Sequence, residues 1–451
     1  METQKQKKSF GQWIKTSITV RMLMVGILIL TLLIPLSYIK NLIRERAYRQ
    51  ESVVKEINQK WGNEVLLYGP VLKIPYQIHS IKKTWDDKTK SYSEEDQITI
   101  NHAFFFPNTL DIKTNIESET LGRSIYESVV YTANMNIKGS FIRPNFEIKD
   151  IAEEDILWNK ATIIINSTNL KGIRSNLELK IGKDSYGLQS RYKQNSYTNT
   201  LETDFLKDYS LPKETPIDFS MDLIINGSEQ LRFIPVGKET NVSMTSNWAS
   251  PSFNGNYLPD TKTKEITESG FKAHWKVLQI NREFEQEFFG VLPEIENSAF
   301  GVKLLIPVDE YQKSERASKY GYLVIALTFL VFFLIQTISR IHIHPFQYLM
   351  IGLALTMFYT LLISISEHSS FLSAYIIAGI SVVLLISLYS KAILKSLKFM
   401  GFVAASLATL YAFIFVIIQL ENYALLVGSI GLFVILGTIM MISRKIDWKN
   451  D

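Results

Sequence analysis

Hydrophobic residues in this chain fall into two zones with different periods. Six apolar runs, at 22–39, 320–339, 346–366, 371–389, 399–420 and 423–442, contain no Asp, Glu, Lys or Arg. A bilayer core of roughly 30 Å needs about 20 apolar residues in a helix, because backbone groups cannot be left unpaired in hydrocarbon. Each run is therefore predicted to span a membrane. Between the first and second runs the period changes to two. Val129, Tyr131, Ala133, Met135 and Ile137 alternate with mostly polar residues, as do Ile217, Phe219, Met221, Leu223 and Ile225. The same alternation recurs at Phe271, Ala273, Trp275 and Val277, and at Phe300, Val302, Leu304, Ile306 and Val308. One-sided strands of an antiparallel sheet read this way. Asn226-Gly227 and Asn254-Gly255 are expected to be turns between strands. Helical spacing at Ile39, Leu42, Ile43, Val53, Val54 and Ile57 extends the first span outward to Gly62, and 310–319 is expected to lead into the second.

The predicted fold is a multi-pass α-helical membrane protein with a large β-rich, antiparallel-sheet domain inserted after its first helix. Its parts are a tail at 1–21, a first transmembrane helix at 22–39, a β-rich domain at 40–319, a five-helix bundle at 320–442 and a tail at 443–451. The first run is longer than the ~7–15 residues of a signal-peptide core and lacks a small-x-small cleavage site, so it reads as an uncleaved anchor. Charge sets the orientation. Arg340, then Lys391, Lys395 and Lys398, then Arg444, Lys445 and Lys449 occupy alternate short connections or the tail, on the side of the lysine-rich N-terminus. The other hairpins carry only Glu367 and Glu421. Basic short loops stay cytoplasmic, so both termini are expected there and the β domain outside, in the periplasm. Trp13 and Trp448 are expected interfacial anchors, and Phe10, Trp13, Ile14 and Ile18 have the spacing of an interfacial helix or belong to an unstructured tail.

Composition then removes options. The chain of 451 residues has no cysteine, which excludes disulfides, thiolate metal sites and cysteine nucleophiles. A net charge of +4 gives no reason to expect nucleic acid as a partner. The uncharged spans disfavour a proton relay. No P-loop, G-x-S-x-G, H-E-x-x-H or dinucleotide glycine pattern is present, and no cofactor is called for. Four residues are the functional candidates. Glu367 and His368, at the end of the third run, could form an acid–base pair. His344 lies in an H-x-H with His342, a two-ligand pattern with no evident third ligand. Trp248 belongs to an aromatic and polar stretch that either lines a recognition surface or packs on the sheet.

Several stretches also resemble the CreD family of bacterial inner-membrane, cell-envelope-integrity proteins. They are LLYGPVLKIPY at 66–76, TSNWASPSFNGNYLP at 245–259, ITESGFKAHW at 266–275, RASKYGYLVIALTFLVFF at 316–333, HPFQYLMIGLAL at 344–355 and SEHSSFLSAY at 366–375. The resemblance implies one N-terminal span, a periplasmic domain, a C-terminal bundle and a place in envelope stress; it supplies no catalytic residue. The expected function is thus envelope maintenance without catalysis, with the bilayer and an envelope lipid or protein as partners. A lipid-handling or transport protein and a membrane-bound hydrolase are the alternatives. Oligomeric state is left open.

Overall fold

The computed structural model describes residues 18–86, 91–191, 198–207, 216–306, 310–339, 341–420 and 423–444. The N-terminal stretch with Phe10, Trp13 and Ile14, the loop residues Arg340 and Glu421, and the tail with Lys445, Trp448 and Lys449 lie outside them. The described residues fall into two compact units, one within 1–51 and 308–451, the other within 52–307.

The helical unit holds most of α1 (Ile18–Trp61), then α2 (Glu310–Lys319), α3 (Gly321–Ser339), α4 (Pro345–Ser366), α5 (Phe371–Leu394), α6 (Leu397–Gln419) and α7 (Ala424–Ser443). All but α2 are long and apolar enough to cross a membrane, one N-terminal and five C-terminal. Helices in lipid gain little from burying apolar surface, so close packing and hydrogen bonds hold them together. Gly352 of α4 illustrates the packing: a Cβ there would come within 2.0 Å of the Leu32 side chain of α1, so a larger residue would force Leu32 to shift. The Tyr348 hydroxyl donates to Gln336 Oε1 at 2.8 Å between α4 and α3, and the Tyr375 hydroxyl donates to the Tyr411 carbonyl at 2.8 Å between α5 and α6. The short α2 buries Tyr311, Ser314, Ala317 and Ser318 within this unit.

The other unit is built on sixteen strands among the described residues. In chain order they are β1 (Val65–Asp86), β2 (Ser91–Phe105), β3 (Thr109–Arg123), β4 (Tyr126–Phe141), β5 (Thr162–Ser167), β6 (Glu178–Ile181), β7 (Asp184–Arg191) and β8 (Asn199–Thr203). They continue with β9 (Ile217–Ser228), β10 (Gln230–Phe233), β11 (Glu239–Ser246), β12 (Pro251–Gly255), β13 (Glu265–Thr267), β14 (Gly270–Leu278), β15 (Glu287–Phe289) and β16 (Phe300–Leu304). Pairing runs β12-β16-β10-β1-β5-β8-β7-β6-β9-β4-β3-β11-β14-β13, with β2 joining β1 and β15 joining β2. The pairings are antiparallel except β1 with β10 and β3 with β11. The two ends of this ladder meet in one core. The Trp275 ring on β14 lies 5.7 Å from both Phe253 on β12 and Phe300 on β16, and Trp275 is 1% exposed.

Alternation at Val129–Ile137 does become β4, whose inward residues are buried. Two local expectations fail. Asn226-Gly227 is no turn; both residues lie inside β9, paired with Thr132 and Tyr131. Glycine is needed at 227 for room, because a Cβ would meet the Tyr131 hydroxyl at 2.4 Å, and that hydroxyl donates to the Gln230 carbonyl at 2.7 Å. A bend at Glu229, which has φ +58°, separates β9 from β10. The last expected strand also stops at Leu304, short of Ile306. Asn254-Gly255 does end a strand, β12.

Candidate functional site

The four residues singled out from sequence are divided between the two units. Trp248 belongs to the β unit and the other three to the helical unit. Within the helical unit, His344 and Glu367 flank the two ends of α4, about 35 Å apart at 1.5 Å per residue.

His344 starts α4. Its Nδ1 accepts from the Phe346 amide at 3.2 Å, and its own amide donates to Gln347 Oε1 at 2.9 Å, with Pro345 completing the first turn. That reciprocal cap satisfies backbone donors that the helix start leaves open. Trp248 is half-buried and donates its indole N–H to the Leu305 carbonyl at 2.9 Å. Beside it, the Asn247 side chain brackets the Ser118 backbone, accepting from its N–H at 2.8 Å and donating to its carbonyl at 2.9 Å. Phe253 lies edge-on to Phe271, and Tyr257 to Phe300. The aromatic stretch is a structured segment fastened to the sheet.

Glu367 caps the C-terminal end of α4. Its carboxylate pairs with Arg46 Nε of α1 at 3.6 Å and accepts from the Tyr311 hydroxyl of α2 at 3.4 Å. His368 is exposed. Around the same helix ends Arg44 pairs with Glu315 at 3.3 Å, and Arg316 donates to the Leu420 carbonyl at 3.0 Å. These contacts join α1, α2 and the ends of α4 and α6. Partly exposed pairs such as Arg44–Glu315 contribute about 0–1 kcal/mol each, so the cluster fixes geometry more than stability. Among the described residues no three His, Asp or Glu side chains converge to hold a metal ion.

The feature that sequence reasoning missed is an arm formed by β1 and β2. Its root is held by edge and tilted contacts among Tyr76, Phe105, Phe146 and Phe289, with ring centroids 5.2–6.1 Å apart. Among the described residues, the two strands pair beyond Tyr76 only with each other, through Gln77↔Ile100 to Asp86↔Ser91. Directly paired residues share a face of the ribbon, and faces alternate along it. One face therefore carries Ile100, Ile98, Ile81, Trp85 and Tyr92, interrupted by Asp96 and the Lys83–Glu94 ion pair. All five apolar residues are exposed, from 49% for Trp85 to 65% for Tyr92. At the tip the Trp85 and Tyr92 rings meet edge-on at 4.9 Å. On the same face His79 Nε2 reaches Asp155 at 3.0 Å and tethers the root. The opposite face carries Ser80, Lys82, Thr84, Glu95 and Gln97, with Ile78 near the root as its one exposed large apolar residue among the described residues. Five large exposed apolar side chains gathered on one face of a ribbon, between polar neighbours, are a feature of interaction surfaces. The only signal in the sequence is Ile98 and Ile100 two residues apart; the charged run between them and Ile81 hides the rest.

Comparison with known proteins gives one consistent result. A family model described as inner membrane protein CreD matches residues 17–449. The inner membrane protein CreD of Escherichia coli K12 is 31% identical over 430 residues, covering 93% of this chain and 91% of that protein.

Proposed function

The chain belongs to the CreD family of inner membrane proteins, and from that premise we propose that it maintains the integrity of the cell envelope without catalysing a reaction. The β unit lies outside the cytoplasm and binds an envelope component. The helical unit anchors it and receives its state through α1.

The exposed apolar face of the β1–β2 arm carries this reading. A two-stranded ribbon is marginal in water by itself, and this one holds five large apolar side chains in solvent, which a partner surface would cover. Orientation is supported by charge. Lys391, Lys395, Lys398 and Arg444 lie at helix ends on one side of the spans, whereas the α4–α5 turn carries Glu367. A relay through α1 is supported by polar contacts within each unit. Arg44 and Arg46 are tied to Glu315 and Glu367. Further along the same helix Asn58 donates to Glu229 at 2.7 Å and accepts from Ser128 at 2.6 Å, and the Trp61 indole donates to the Tyr131 carbonyl. The hydrolase alternative is weakened because Glu367 is engaged by Arg46 and Tyr311.

Replacement of the apolar face tests the reading. Ile81→Asp with Ile98→Asp is expected to leave expression and membrane insertion intact and to abolish tolerance of envelope stress in a strain lacking the native gene. Full tolerance in that variant would contradict it.

A further inference from the structure

The helical unit contains a groove that the arm does not explain. α3 and α7 both pack near α6, and α7 buries none of its residues. A cavity of about 900 Å³ remains between the three helices, at the upper end of the roughly 300–1,000 Å³ typical of small-molecule sites. Its walls are mainly apolar, with Leu330, Leu334, Phe402, Val434 and Ile435 among them, and carry the hydroxyls of Thr328, Ser406, Thr409 and Thr438. Along α3 the lining runs from Leu327 to Ser339, about 18 Å at 1.5 Å per residue. One leaflet of a ~30 Å hydrocarbon core is about 15 Å deep. The groove is therefore as long as one acyl chain is deep.

One end of the groove differs from the rest. Ser339, Lys398 and Ile442 border it, and Arg444 follows two residues after Ile442. Lys398 and Arg444 are both exposed. The connection 391–398, from the end of α5 to the start of α6, carries three lysines and no carboxylate. The polar end thus presents cations at the level where a span meets the headgroups. An uncharged acyl slot closed by lysine and arginine matches an amphiphile with an apolar chain and an anionic head.

The geometry points to a binding site for one anionic phospholipid in this groove, its acyl chain between α3, α6 and α7 and its phosphate at Lys398 and Arg444. The site goes beyond the envelope-binding reading and does not depend on it, since no arm residue takes part.

Native mass spectrometry of the full chain decides it. The delipidated protein would be presented with phosphatidylglycerol and, separately, with phosphatidylcholine of the same chains. The expected result is retention of a single phosphatidylglycerol with about thirtyfold preference over phosphatidylcholine, the size set by two basic groups at a headgroup. Lys398→Gln with Arg444→Gln should remove the preference while some chain binding persists; both residues are exposed, so folding is not at risk. Ala405→Trp, which fills the groove, should lower retention of both lipids. Equal retention of the two lipids by the unaltered chain would overturn the inference, as would an unchanged preference in the Gln variant.

Discussion

Glu202 on β8 shows how single side chains hold the β unit together. It accepts from Lys73 of β1 and from Thr162 of β5, both at 2.9 Å, and pairs with Arg191 of β7 at 3.4 Å. Burial raises its pKa, the largest single effect, but the hydrogen bonds from Lys73 and Thr162 and the charges of Lys73 and Arg191 together hold it below the ordinary 4.5. A carboxyl lowered on folding adds stability that is complete above its unfolded pKa and is lost as pH falls through the folded one. Glu202→Gln should therefore cost about 1 kcal/mol at neutral pH. It should also show a smaller loss of stability than the unaltered chain below the carboxylate range. Urea unfolding of the full chain in detergent, followed by tryptophan fluorescence at both pH values, checks this. Arg282 illustrates the opposite balance. Burial pulls its pKa down to about 10, and its guanidinium is retained by the Pro235 and Val236 carbonyls, by Gln286 and by the Phe284 ring 4.7 Å away. Gln286 and Phe284 lie close to Arg282 in sequence, but its carbonyl partners Pro235 and Val236, and the Lys73 and Thr162 partners of Glu202, are each 40 or more residues away, so neither network was legible from the residues alone.

At the scale of elements, legibility followed the strength of the local constraint. All six spans were readable because a bilayer imposes length and apolarity on every turn. The extension of α1 to Trp61 was readable from its apolar spacing. Strands with one buried face, such as β4, β9 and β14, announced themselves by alternation. The arm did not, because neither of its faces packs on the core, and KKTWDD and SYSEED read as polar loop. Asn226-Gly227 misled for a related reason: its glycine answers to the Tyr131 ring across the sheet and not to its own backbone. The partner of Glu367 was hidden as well, since Arg46 lies on another helix far away in sequence. For α1 the relay requires continuity between the contacts of Arg46 and those of Asn58. Glu51→Pro, at an exposed position between them, breaks the helical hydrogen bonding at a cost of about 3 kcal/mol. It is expected to abolish envelope-stress tolerance while membrane insertion stays normal, with Glu51→Ala as the silent control. Tolerance preserved in the proline variant would rule the relay out.

At the scale of the whole molecule, the proposal depends on which side of the membrane each unit faces. The absence of cysteine makes this directly measurable. With a single Ile81→Cys, a membrane-impermeant maleimide should label spheroplasts without permeabilisation. With Lys398→Cys it should label only after permeabilisation. The reverse pattern would invert the topology and remove the envelope from reach of the arm. Given that topology, the central claim is that one face of the arm meets an envelope component. A photoreactive amino acid placed singly at Ile81, Ile98, Lys82 and Gln97 in living cells tests it most directly. The account predicts that Ile81 and Ile98 capture the same envelope lipid or protein and that Lys82 and Gln97, on the opposite face, do not. Equal capture from both faces, or no capture from Ile81 and Ile98, would contradict it.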